Sequence, residues 1–179
     1  MKRLQLALYP LCLLAGSLMT KSLLDEPKVG NLDLQGFTIE LSVTVPGTPE
    51  ETFDLFTGDI SPWWDHHFSQ KPARFVIEPK PGGHFLELID DEGNGLVHAD
   101  VTWAERGKRL VFVGPLGLHG KAVQIVHTFG FEADGENTKL SAMIRGMGEV
   151  PNDMRDIVAS VWKHFLIEQF EPYVRKSRG

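Results

Sequence analysis

The chain has 179 residues, a formal net charge of −6, 42% hydrophobic residues and 23% charged residues. That balance excludes a disordered polymer and leaves room for one well-filled core. An acidic surface repels phosphate, and the one basic run, Arg175-Lys176-Ser177-Arg178, sits where it complements a helix dipole, so nucleic acid is not an expected partner.

Met1-Lys2-Arg3 precedes an apolar stretch from Leu4 to Met19, interrupted by Gln5, Gly16 and Ser17. A short basic start, an apolar centre and small residues such as Ala15 and Ser17 make a secretory signal layout. The stretch is short for a membrane span and carries Pro10 in its middle. Residues 1–19 are therefore read as a signal peptide or apolar anchor, 20–35 as a polar linker and 36–179 as the folded domain. The expected location is exported or periplasmic if that signal is used, and cytoplasmic if translation starts at Met19. Membrane contact is expected only through this segment, uncleaved. The single cysteine, Cys12, falls in it, which removes a disulfide, a cysteine-based zinc site and a thiol nucleophile from the domain.

Phe37 to Val45 alternates apolar and polar residues, the pattern of a half-buried strand, and Pro46-Gly47 stops it. Thr48-Pro49-Glu50-Glu51 then supplies an N-cap, a first-turn proline and a capping-box glutamate for a short helix through Phe53 and Phe56. Ser61-Pro62-Trp63-Trp64 repeats this logic and predicts a second short helix. Six further strands follow: Arg74–Glu78, Phe85–Ile89, Leu96–Trp103, Leu110–Val113, Ala122–Glu132 and Lys139–Arg145. The Gly, Asn and Asp residues between them are hairpin chemistry, so an antiparallel sheet of about seven strands is expected. After Pro151-Asn152, apolar residues from Ile157 to Tyr173 recur at helical spacing. A helix over 153–171 spans about 28 Å at 1.5 Å per residue, with a kink or a tightened last turn expected at Pro172.

This order, with Val45 to Phe56, the Trp63-Trp64 pair, Pro81-Gly82-Gly83-His84-Phe85, Gly95 to Val101 leading to Arg109-Leu110-Val111-Phe112, and Trp162-Lys163-His164-Phe165-Leu166, resembles the START-like, or SRPBCC, superfamily. The branch it is most similar to holds the homologues of the heat-shock-protein ATPase activator and many polyketide cyclase-like proteins. The resemblance implies an α+β helix-grip fold, in which a curved antiparallel sheet wraps a long C-terminal helix. It also implies a cavity between the two for a small apolar ligand. It carries no shared catalytic motif.

Several side chains are candidates for such a cavity. His127 shares the apolar face of its strand with Val123, Ile125, Phe129 and Phe131, where it serves either a ligand or the core. Trp63, Trp64, Trp103 and Trp162 are large aromatics with one polar atom, suited to mixed ligands and equally to core packing. Phe165 follows Trp162 on the helix, and Arg145 at a strand end is suited to an anionic head group or to a rim carboxylate. The expected ligand-binding set is thus Trp63, Trp64, Trp103, His127, Phe129, Arg145, Trp162 and Phe165. Catalytic residues are not readable. His66-His67 point apart on a helix, and pairing of His66 with His84 or His98 lacks metal-site spacing, so neither metal nor cofactor is expected. Ser141, Ser160 and Asp100 form no readable triad.

The expected function is binding or carriage of a small apolar ligand. The alternative is an aromatase- or cyclase-type enzyme using His127 with Arg145 or Asp100. A second alternative is a co-chaperone-like regulator, against which the short chain weighs. Oligomeric state is not readable.

Overall fold

The computed structural model describes residues 30–32 and 34–178. The predicted signal segment, Cys12, Met19 and most of the predicted linker lie outside them. From residue 32 onward the chain is a compact α+β unit. Its strands are β1 (Gln35–Pro46), β2 (Gly58–Asp59), β3 (Arg74–Ile77), β4 (His84–Leu88), β5 (Gly95–Glu105), β6 (Arg109–Val113), β7 (Val123–Asp134) and β8 (Asn137–Gly148). Helix α1 (Pro49–Phe56) follows β1, and the chain closes with α2 (Met154–Lys163), a π-helical stretch (His164–Phe170) and α3 (Glu171–Ser177).

The strands form one open antiparallel sheet in the order β1-β8-β7-β6-β5-β4-β3-β2. Every connection from β2 to β8 joins neighbours, whereas β1 and β2, linked through α1, lie on opposite edges. The sheet has eight strands rather than about seven. The unforeseen one, β2, is two residues long, below what any alternation can reveal. The predicted second short helix is a single turn, in which the Trp63 and Trp64 N–H groups both donate to the Ile60 carbonyl at 3.1 and 2.9 Å. Asp65-His66-His67 follow with nothing apolar to bury, so the costly helix nucleus is not propagated.

Alternation in β1 and β7 predicts their inward faces correctly. Val43 and Val45 are buried from β1, and Ile125, His127, Phe129 and Phe131 from β7. Two irregularities in β5 break the rule. The register against β4 shifts so that Phe85 faces Ala99 while Leu86 faces Val97. His98 is the extra residue, and both His98 and Ala99 turn inward. The register against β6 shifts again between Val101 and Trp103, leaving Thr102 and Trp103 both exposed. Such bulges re-aim side chains by one position. Gly114 is needed opposite the first: a Cβ there would collide with the His98 carbonyl and with Ala99.

The N-terminus of α1 carries the full capping box. Thr48 Oγ1 accepts from the Glu51 N–H at 3.3 Å, and Glu51 Oε2 accepts from the Thr48 N–H at 3.0 Å. Arg178 Nη2 donates to the same carboxylate oxygen at 2.7 Å, fastening the end of α3 to the start of α1. At the other end, Glu171 donates its N–H to the Leu166 carbonyl, five residues back. That wide turn delivers Pro172 to the first turn of α3, where a missing N–H costs nothing. In place of the expected kink or tightened turn, the backbone widens into a π-helical stretch, and the helix runs on to Ser177. Phe56 anchors the core, its ring centroid 4.9 to 5.9 Å from those of Trp63, Phe129, Phe131 and Phe170.

Candidate functional site

A partly enclosed hollow of about 270 Å³ lies between the inner sheet face and α2. The helix contributes Val158, Val161 and Trp162, with Phe165 from the π-helical stretch. The sheet contributes Ile125 and His127 from β7 and His98 from the β5 bulge. The turn after α1 places Trp64, His66 and Phe68 along one side, and the β6–β7 loop closes another with Pro115, Leu116, Gly117 and Leu118. The walls are apolar except for the histidine rings. A larger and somewhat more open hollow of about 440 Å³ lies on the outer face, between Lys108, Arg109, Lys139 and Ser141.

Four predicted residues meet here: Trp64, His127, Trp162 and Phe165. Trp64 lies flat on Phe165, with ring centroids 3.6 Å apart and an interplanar angle of 10°. The Trp64 Nε1–H donates to the His66 carbonyl at 2.8 Å. Trp162 is buried against Phe129 and His127 at 5.2 and 5.4 Å.

The other four predicted residues stand elsewhere. Trp63 and Phe129 are core residues behind the hollow, Trp63 with its Nε1–H on the Leu55 carbonyl at 3.2 Å. Trp103 is 49% exposed, because the second bulge turns it to the outer face, where Arg109 lies 5.1 Å over its ring. Arg145 is exposed next to buried Ile144, and strand alternation puts it on the outer face too. Asp100 is also outside, with its Oδ1 2.9 Å from His84 Nδ1. Neither Arg145 nor Asp100 can therefore serve His127 as an acid–base partner.

Two histidines carry the site's unusual chemistry. His127 is buried with no hydrogen-bond partner for Nδ1. Burial pushes its pKa down to about 3, with only the Phe112 backbone acting against the shift. His98, missed as a cavity residue, is equally buried, and its Nε2 lies 3.1 Å from Glu87 Oε2. Its Nδ1 also lacks a partner. Burial lowers the His98 pKa, although the Glu87 carboxylate pulls it upward. Glu87 itself is fully buried on β4. Burial alone would raise its pKa, but N–H groups of Phe68 and Ser69, at 3.0 and 2.6 Å, and His98 outweigh that and hold it low. A buried carboxylate, fully hydrogen-bonded, thus orients a neutral imidazole. The available signal was Glu87 in phase with Phe85, an acid at an inward position of β4. No alternation could place His98 beside it.

The loop over the hollow is strained. Leu116 has a φ of 40°, a region costly for a branched side chain and concentrated at functional sites. Gly117, at a φ of 99°, lies beneath Phe68, and a Cβ there would collide with that ring.

At the rim, Asp65, His66 and His164 approach within 4.8 Å of one another. His164 Nδ1 lies 3.0 Å from Glu168 and Nε2 2.8 Å from Asp65. The Glu168 and Asp65 contacts raise its pKa. Both ring nitrogens are thus engaged by carboxylates, which leaves neither free for a metal. His66 is thus partnered by Asp65 at 2.9 Å rather than by His84 or His98.

No protein-family model matches the chain, and no curated protein does. Solved structures share the fold. An uncharacterised protein from Rhizobium leguminosarum aligns with a TM-score of 0.60 at 13% identity, over 82% of this chain and 99% of its own. CalU16 from Micromonospora echinospora aligns at 0.56 and 16% identity, over 81% and 83%. SA2116 from Staphylococcus aureus, of unknown function, aligns at 0.57 and 12% identity, over 83% and 98%. At such identities the likeness concerns the fold alone.

Proposed function

We propose that this chain is a helix-grip domain of the START-like kind and acts as a binding or carrier module for a small apolar ligand held between the sheet and the C-terminal helix. The observation that carries this reading is the hollow of about 270 Å³, walled by aromatic and aliphatic side chains and interrupted only by imidazoles. Ligand pockets have this character: mostly apolar, with a few placed polar groups. Export of the module is a further part of the proposal and rests on the residues preceding Thr20.

The test is titration with an environment-sensitive apolar dye, followed by fluorescence. Wild-type protein is expected to bind at one saturable site. Val158→Trp fills the hollow from the half-buried face of α2 and should abolish binding while the protein stays folded. Lack of saturable binding to the wild type, or unchanged binding to a folded Val158→Trp protein, overturns the reading.

A further inference from the structure

Ligand chemistry follows from the two imidazoles, on the premise that the hollow is the binding site. Glu87 is an ionised carboxylate and can only accept hydrogen bonds, so the Nε2 of His98, 3.1 Å away, carries the proton. In the neutral ring the Nδ1 then holds a bare lone pair. That atom is buried and unpartnered, and an unmet buried acceptor costs free energy that a donor from a ligand returns. His127, two strands away across β6, offers a second buried and unpartnered Nδ1. Phe68 covers His98, with ring centroids 5.5 Å apart. Phe68 is 58% exposed and its ring rests on Gly117 in the strained loop, so a displacement of this ring would give a ligand access to His98.

The walls are as informative for what they omit. None of the lining residues is Lys or Arg, and the fixed charge immediately behind them is the negative Glu87. A carboxylate or phosphate would be buried there without a partner, and its lost hydration would not be repaid. A hydroxyl suits the site because it donates to His98 and still accepts from elsewhere.

We propose that the hollow takes an uncharged, largely apolar molecule bearing a hydroxyl, and that His98, held in one tautomer by Glu87, accepts the hydrogen bond of that hydroxyl. Glu87 is a positioning residue in this arrangement.

Three bicyclic probes isolate the claim: 2-naphthol, 2-methoxynaphthalene with the donor capped, and 2-naphthoate with a charge. Binding near neutral pH is read from quenching of Trp64 and Trp162, which line the hollow. The naphthol should bind about tenfold more tightly than the methoxy compound, the scale of one hydrogen bond to a buried acceptor, and naphthoate should bind weakest. In Glu87→Gln the new amide donates to Nε2 and moves the ring proton to Nδ1, so the preference for naphthol should vanish. Long-range nitrogen–proton NMR of the His98 ring in wild-type protein should show a protonated Nε2 and a bare Nδ1, and needs no variant to fold. Equal binding of all three probes would leave the cavity reading standing and overturn this one. Binding of none of them would overturn both, and a protonated Nδ1 in the wild type would overturn the donor argument alone.

Discussion

The buried ring of His127 makes the protein acid-sensitive in a pH range where its carboxylates are still ionised. In the unfolded chain this histidine takes up a proton near its ordinary 6.5, whereas burial holds the native value down to about 3. A depressed native pKa contributes stability that is fully present above 6.5 and is lost as pH falls toward 3. Between pH 7.5 and 5 the unfolded ring gains nearly one proton and the native ring none. About one and a half pH units of this window lie below 6.5, and at about 1.36 kcal/mol per unit the loss is about 2 kcal/mol. That is a large part of a total of about 5–15 kcal/mol. His98 shifts in the same direction and adds to the loss. His164 is shifted upward, so its contribution is present below 6.5 and fades as pH rises, which opposes the trend. Glu87 and Asp65 are held low and matter only further into acid.

Comparison with His127→Phe cancels every one of these except His127. The substituted ring keeps its place between Phe112 and Trp162, at centroid distances of 4.9 and 5.4 Å in the wild type, and loses the unpartnered nitrogen. Urea unfolding at both pH values gives the two stabilities by linear extrapolation. The wild type should lose about 2 kcal/mol more than the variant on acidification. At pH 7.5 the variant should be no less stable, since it buries no unpartnered ring nitrogen. Parallel losses in the two proteins would refute the claim that burial keeps this ring neutral.

Trp162→Ala removes a side chain only 2% exposed and should cost about 3–5 kcal/mol, leaving a protein that melts far below wild type or aggregates. Trp63→Ala should cost about as much, because Trp63 is core and not rim. Trp103→Ala, on the outer face, should lose only the Arg109 contact, about 0.5–1 kcal/mol. Thermal melts of the three proteins, ranked side by side, check the order. Thr48→Ala removes the cap of α1 and should cost about 1 kcal/mol by urea unfolding. Gly117→Ala forces a strained φ and displaces the Phe68 ring. It should destabilise by at least about 1 kcal/mol and change dye binding, and an unchanged affinity would show that Phe68 does not gate the hollow.

Local patterns in the chain determined much of the architecture. Alternation in β1 and β7, the capping box at Thr48 and the helical stripe from Ile157 are properties of neighbouring residues, so periodicity exposes them directly. The candidates that line the hollow, Trp64, His127, Trp162 and Phe165, come from those regular stretches or from the turn packed against them. Tertiary structure decided the rest, for reasons no local pattern carries. A bulge adds one residue and inverts the faces beyond it, which sent Trp103 outward and brought His98 inward with Ala99. Trp63 and Trp64 are consecutive, and only the packing of Phe170 and Phe165 put one in the core and the other on the cavity wall. The pairing of Glu87 with His98 depends on the register of β4 against β5. Strand register is a long-range property, set by how whole faces bury against each other.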